Sequence, residues 1–209
     1  MKPSSNREPA DAVSSRERLL STAKRLMAES GYERVSTAAI AREAGTSESQ
    51  LVRYFGSKAG LLESIFDESW APLNPQIARL VAAAPTAREA MITVLSTMIG
   101  AFERDPDLAK LLMFEGRRVR GDNAEVLLTQ GFRDFAKLVL SLIERGQKDG
   151  SFSTALKPQA ITSALLGAAE GMMRDRLLAT HESEPSPFPE SQIRAVFGAL
   201  VSGLGPSVS

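Results

Sequence analysis

The sequence predicts an all-α fold, and three observations carry that expectation. Apolar residues recur at helical spacing almost throughout, strand-like alternation bounded by turn residues is scarcely found, and capping residues or prolines stand where helices would open. The chain has 209 residues, enough for one compact domain or for a small head on a larger body.

Residues 1–13, with two prolines and mixed charges, have nothing to bury and are expected to form a flexible arm. Helix one opens at Ser14, where Ser14-Ser15-Arg16-Glu17 has capping-box spacing. Leu19, Leu20, Ala23, Leu26 and Met27 then form one apolar stripe, and Gly31 stands where a left-handed C-terminal cap is wanted. Ser36 can cap a short helix through Ala44 with Ile40 and Ala41 inward. Gly45-Thr46 makes a turn, and Ser47 can cap a second short helix with Leu51 and Phe55 facing the same interior. Two short helices joined by a glycine-containing turn form a helix-turn-helix unit.

Beyond Lys58 the helices lengthen. One begins with Leu61, Leu62, Ile65 and Phe66, and Pro72 and Pro75 are expected to kink or end it. Amphipathic helices are predicted over 86–104, from Pro106, over 122–147, over 158–178 and over 189–204. The last two open on prolines suited to a first helical turn. The stretch 180–189, which contains His181, reads as a loop.

Composition excludes several chemistries. With 25 Lys and Arg against 25 Asp and Glu, attraction to a polyanion must come from a local patch. No cysteine and a single histidine leave neither thiol nucleophile, thiolate metal site nor histidine cluster. No metal, no cofactor and no enzymatic activity are expected, since a phosphate-cradling glycine loop and a carboxylate dyad are also lacking. No apolar run reaches the roughly 18 residues of a membrane span and the N-terminus lacks a signal-peptide core, so a cytoplasmic protein with no membrane contact is expected.

Residues 14–58 carry eight basic and five acidic side chains, a modest local positive excess. On a helix starting after Ser47, positions 49, 50, 53 and 54 lie opposite Leu51 and Phe55. That side reads Ser49, Gln50, Arg53, Tyr54. Gln50 can pair with adenine and Arg53 with guanine in a major groove, each worth about 1–3 kcal/mol of discrimination. Tyr54 offers a hydroxyl to a phosphate and Val52 can touch a thymine methyl. Ser36 and Thr37, at the positive end of the second helix, and Lys58 are candidate phosphate anchors. Ser47 and Glu48 head the recognition helix. Glu48 suits the helix dipole but repels phosphate, unless it accepts from a cytosine amino group.

The run from Ser14 to Phe66 resembles the N-terminal DNA-binding domain of the TetR/AcrR transcriptional regulators along its whole length. The resemblance rests on Ala23, Gly31-Tyr32, Ile40-Ala41, Ala44-Gly45, Tyr54-Phe55-Gly56-Ser57-Lys58 and Leu61-Leu62. About a quarter of the chain carries it; beyond, the resemblance lies in helix number, helix length and Glu170-Gly171. It departs at Val52, commonly aromatic in that family, and at Ala38-Ala39, where a polar pair is common. The resemblance implies a helix-turn-helix DNA-binding domain at 14–60 and a helical effector-binding and dimerisation domain at 61–209. It further implies a homodimer that represses promoters at a near-palindromic double-stranded operator until a small molecule enters the body.

In the body, Trp70, Met98, Phe102, Met113, Phe114, Phe135, Glu170 and Met173 form the candidate effector-binding set, large or adaptable apolar surface with one polar handle. The same residues would serve any core. Arg117, Arg118 and Arg120 could orient an anionic effector or form a solvated helix end. Ala160, Ala164, Gly167, Ala168 and Gly171, with Ile193, Val196, Phe197, Leu200 and Val201, suit a four-helix dimer interface from the last two helices. A competing reading is a helical ligand-binding or scaffolding module whose DNA-binding head is vestigial.

Overall fold

A computed structural model of the chain describes residues 14–116, 119–120, 125–126, 129–181 and 188–206. The expected arm at 1–13, Arg117, Arg118 and most of the expected last loop lie outside the described residues. Nine helices and one antiparallel pair of two-residue strands are found among those described. The fold is all-α. Two compact units divide the chain, one ending at Ile65 and the other beginning at Phe66.

The head contains α1 (Ser15–Ser30), α2 (Thr37–Glu43), α3 (Glu48–Phe55) and the first residues of α4 (Lys58–Ala83). The Ser14 hydroxyl accepts from the Glu17 N–H at 3.2 Å, and the Glu17 carboxylate accepts from the Ser14 N–H at 2.8 Å, closing the capping box. These bonds with Ser14 hold the Glu17 carboxyl below its ordinary pKa. Gly31 takes φ 83° with ψ 146°, a positive-φ conformation outside the αL basin expected for it. Leu19, Ala23, Met27, Ile40, Leu51, Leu61 and Leu62 are sealed in the head's core, while Leu26 is only partly covered. Arg18 Nε donates to the Ala44 carbonyl at 3.0 Å, and Arg25 bridges Glu29 and Glu43, so α1 grips the C-terminal end of α2 through charge-assisted bonds. Gly60 backs directly onto the end of α3: a Cβ there would stand 2.1 Å from the Phe55 carbonyl oxygen.

The body holds the rest of α4 with α5 (Ala87–Arg104), α6 (Pro106–Phe114), β1 (Val119–Arg120), β2 (Glu125–Val126), α7 (Gln130–Asp149), α8 (Pro158–His181) and α9 (Glu190–Gly203). Three expectations are corrected here. Of the two outcomes expected at Pro72 and Pro75, an end to the helix is excluded: α4 continues through both to Ala83. Both prolines, and the residues Glu68 and Ala71 whose carbonyls lose their helical donors, are not buried, whereas Trp70, Leu73 and Ile77 bury the other face and hold the helix together. The helix expected from 122 begins only at Gln130, because Glu125–Val126 pairs with Val119–Arg120 and Thr129 supplies the N-cap, accepting from the Phe132 N–H at 3.4 Å. His181, expected in a loop, is the last residue of α8.

α7 ties the body together. Arg145 donates to the Val81 and Ala84 carbonyls, each at 3.1 Å, closing the C-terminal end of α4. At the end of α7 the Asp149 carboxylate accepts from the Ala87 N–H at 3.0 Å, anchoring the start of α5. Burial pushes the Asp149 carboxyl up, but hydrogen bonds from Ser151 and Ala87 and the Arg145 charge outweigh it and hold the group below its ordinary pKa. Gly146 lies against Phe152, and a Cβ would meet the Phe152 ring at 2.0 Å and Ala87 Cβ at 3.0 Å.

Alanine normally stabilises a helix interior relative to glycine by up to about 1 kcal/mol. Because Gly146 is packed against a buried ring, Gly146→Ala is expected to reverse that sign and destabilise the body by about 1–3 kcal/mol, read as a lowered urea midpoint.

Candidate nucleic-acid interface and effector cavity

The rotation of α3 is fixed by Leu51, fully buried, and Phe55, 8% exposed, one turn apart. The opposite side is consequently open: Ser47, Glu48, Ser49, Val52, Arg53 and Tyr54 are all exposed, and Gln50 is half-buried. Ser47 Oγ accepts from the Gln50 N–H at 3.2 Å, capping the first turn of α3. It also lies 2.9 Å from Ser49 Oγ. The Arg53 guanidinium stands 5.2 Å from the Tyr54 ring centroid, a cation–π contact that presents the charge and the phenol together.

Several of the expected DNA-contacting groups already have partners inside the head. The Thr37 hydroxyl donates to the Glu48 carboxylate, joining the first turns of α2 and α3. Ser36 caps α2 by accepting from the Ala39 N–H at 3.1 Å. Gln50 Oε1 accepts from the Thr46 hydroxyl, so two-pronged recognition of adenine requires Thr46 to turn away. Lys58 is drawn inward: its Nζ donates to the Tyr32 and Val35 carbonyls at 3.0 and 3.1 Å and lies 4.3 Å from the Tyr32 ring centroid. Two of its three ammonium protons therefore hold the turn between α1 and α2. Nothing in its spacing announced this; the one available signal was Tyr32, on whose ring the ammonium rests.

In the body, side chains from α4 to α9 surround an apolar cavity of about 100 Å³. Trp70, Met98, Phe102, Met113, Phe135, Glu170 and Met173 line it; Phe114 does not, being turned outward at 36% exposure. Trp70 stacks on Phe135 with centroids 5.0 Å apart and meets Phe132 edge-on at 6.1 Å. Thr129, Leu165 and Leu166 complete walls that the sequence did not single out as a site, because an apolar residue facing a cavity has the same spacing as one facing a filled core. Among the described residues no group of acidic or histidine side chains is placed to hold a metal ion, and no helix is long and apolar enough to cross a membrane.

A helix-turn-helix head of this geometry is matched over residues 19–65 by the family described as bacterial regulatory proteins, tetR family. Residues 19–65 are a DNA-binding domain of the TetR family. It is similar to the nucleoid occlusion factor SlmA of Vibrio vulnificus strain YJ016, 29% identical over 161 residues that cover 75% of this chain and 80% of that one. The fold is that of the fatty acid degradation regulator FadR from Bacillus halodurans, with a TM-score of 0.76, 20% identity, and coverage of 90% of this chain and 98% of that one. FadR from Bacillus subtilis, in complex with stearoyl-CoA, superimposes with a TM-score of 0.73 at 17% identity over 92% of this chain and 98% of that one. Such a domain is that of a TetR-type DNA-binding transcriptional regulator.

The inward Lys58 of this TetR-type head generates a stability expectation. Lys58→Met keeps the aliphatic stem over Tyr32 and strands two carbonyls, so thermal unfolding of the head should show a loss of about 1–2 kcal/mol. An unchanged unfolding midpoint would show that these bonds carry no net stability.

Proposed function

We propose that the protein is a homodimeric, cytoplasmic repressor that binds a near-palindromic operator and is released by a small-molecule effector in the body cavity. The observation that carries the DNA half is the exposed side of α3, where Val52, Arg53 and Tyr54 stand opposite the buried Leu51 and Phe55. A purely structural subdomain has no need of that side, and a major-groove reader requires it. Arg53 reads guanine, Gln50 adenine once Thr46 releases it, and Val52 a thymine methyl. Tyr54 and the hydroxyls of Ser36, Ser47 and Ser49 anchor phosphate. Thr37 and Glu48 act through their mutual bond, which sets α2 against α3, and Lys58 supports the same surface from behind while offering its remaining proton to the backbone.

The effector half rests on the cavity, whose walls are apolar apart from a few polar groups such as Glu170 and the Thr129 hydroxyl. The stearoyl-CoA held by the Bacillus subtilis neighbour supports an apolar effector. A ligand lowers DNA affinity only by its differential affinity for two conformations, so a hundredfold release needs about 2.7 kcal/mol. A second reading, a nucleoid occlusion role like that named for the Vibrio relatives, uses the same head and is favoured by their sequence identity. The two separate on whether an effector dislodges the protein from DNA.

For the dimer, α9 supports the reading. Ile193, Phe197 and Val201 turn into the body, while Val196 and Leu200, one turn apart, remain 46% and 43% exposed. A two-fold contact through α8 and α9 calls for half-sites about 34–36 Å apart or a multiple.

Arg53→Ala should cost about 1–3 kcal/mol of affinity for the operator at fixed salt and relax preference at one base pair, whereas Tyr54→Phe should weaken all sequences alike. Footprinting on genomic DNA supplies the operator; equal affinity of wild type and Arg53→Ala for it would favour a vestigial head. Leu200→Glu should convert the dimer to a monomer at micromolar concentration in light scattering, because it introduces two desolvated like charges across a two-fold axis.

A further inference from the structure

The body has a second concavity, a more open groove of about 570 Å³ between α7 and α8. Two of its wall residues, Phe132 and Leu166, are also walls of the apolar cavity, and both are only partly buried. The two spaces therefore lie back to back with a pair of side chains between them. Their linings differ in charge. The groove carries Arg133 and Lys137, neighbours one turn apart on α7, together with the neutral Gln159, Thr162 and Ser163 of α8; the cavity carries Glu170. Arg133 Nε also donates to Gln130 Oε1 at 3.3 Å, and Lys137 lies 3.8 Å from Asp134, contacts that orient both cations without burying them.

We infer that cavity and groove are two compartments of one site, and that its ligand is an amphiphilic anion whose apolar tail fills the cavity while its head rests against Arg133 and Lys137. This deepens, and rests on, the reading of the cavity as an effector site. Size supports it: about 100 Å³ is well below the roughly 300–1,000 Å³ of a pocket that encloses a whole small molecule, so part of any such ligand must lie outside. Electrostatics sets the orientation. An anionic head inside the apolar cavity would lose its hydration, whereas in the groove it stays wet and meets two cations. Passage requires Phe132 and Leu166 to change rotamer, and Met91, Met98, Met113 and Met173 give the cavity unbranched walls that can repack around a tail.

Trp70 is the sole tryptophan of the chain and lines the cavity, so its emission reports tail entry directly. The test titrates octanoate, octyl phosphate and neutral octanol into the full-length protein and into Arg133→Ala/Lys137→Ala, whose substitutions fall on the α7 side of the groove. Expected are Trp70 changes with all three ligands and tighter binding of the anions. The double variant should bind the anions about tenfold more weakly, with less than a twofold change for octanol. A stronger response to octyl phosphate than to octanoate assigns a phosphate head, and the reverse a carboxylate. If octanol binds as tightly as the anions and the double variant changes nothing, the two-compartment inference fails while the effector cavity stands. If no ligand perturbs Trp70, both fail.

Discussion

The burial of Leu51 and Phe55 is the constraint on which the DNA-facing half of the molecule depends. α3 is only eight residues long, too short to persist on propensity alone, so its existence and its rotation are set by these two side chains docking on α1 and α2. Once they are inside, helical periodicity leaves 49, 52, 53 and 54 no choice but to face out. The Ser47 cap and the Thr37–Glu48 bond fix where α3 begins, and Lys58 and Arg18 fasten the backbone turns around it. The recognition surface is thus the by-product of a small core, made rigid by polar side chains whose charge would otherwise be taken for DNA contact.

That accounts for what the sequence disclosed and what it withheld. The caps at Ser14, Ser36 and Ser47, and the prolines opening α6 and α8, act within one turn, and a one-turn interaction can be read from spacing. Lys58 could not be, because its partners Tyr32 and Val35 are more than twenty positions away. Pro72 and Pro75 have the pattern of terminators because a proline's local cost is fixed, whereas the gain from burying Trp70, Leu73 and Ile77 depends on helices far along the chain. The apolar pattern of α7 starts ahead of the helix itself since Val126 and Leu127 extend it; pairing of β1 with β2 removes Val126 from the helix. Phe114 shows the same limit: at the last position of α6 it falls outside the walls although Met113 beside it lies within them.

The body is organised around α7 as the head is around α3, but the consequence is opposite. Its far end is locked by Arg145, Asp149 and the close approach of Gly146 to Phe152. At its near end Gly131 lies against the Trp70 side chain, where a Cβ would come within 2.3 Å, and the Asn74 side chain donates to the Gly131 carbonyl at 2.9 Å. One end of the helix is therefore held by charged side chains of α7 itself, and the other through the Gly131 backbone, by the Trp70 indole, Asn74 and a 3.4 Å bond from its N–H to the Asp67 carboxylate, beside the cavity. Any expansion of the cavity has to be taken up near the second of these, where Trp70, Phe132 and Phe135 meet.

An apolar space of about 100 Å³ is not neutral to stability. At roughly 24 cal/mol per Å³ it forgoes about 2 kcal/mol of packing, a large fraction of a domain's net stability. Filling it would need no new fold, since one larger side chain among Val94, Leu165 or Ala169 would reach into it. The Trp70 indole N–H on the same wall is buried with no acceptor among the described residues, a desolvation cost of about 1–3 kcal/mol. Two unrecovered costs at one place, in a body otherwise fastened by capped helices and charged bonds, are what a site kept open for a guest would show. In the proposed reading, occupation by an apolar tail would return the packing term on binding, and that recovered energy would be available to bias one conformation of the body over another.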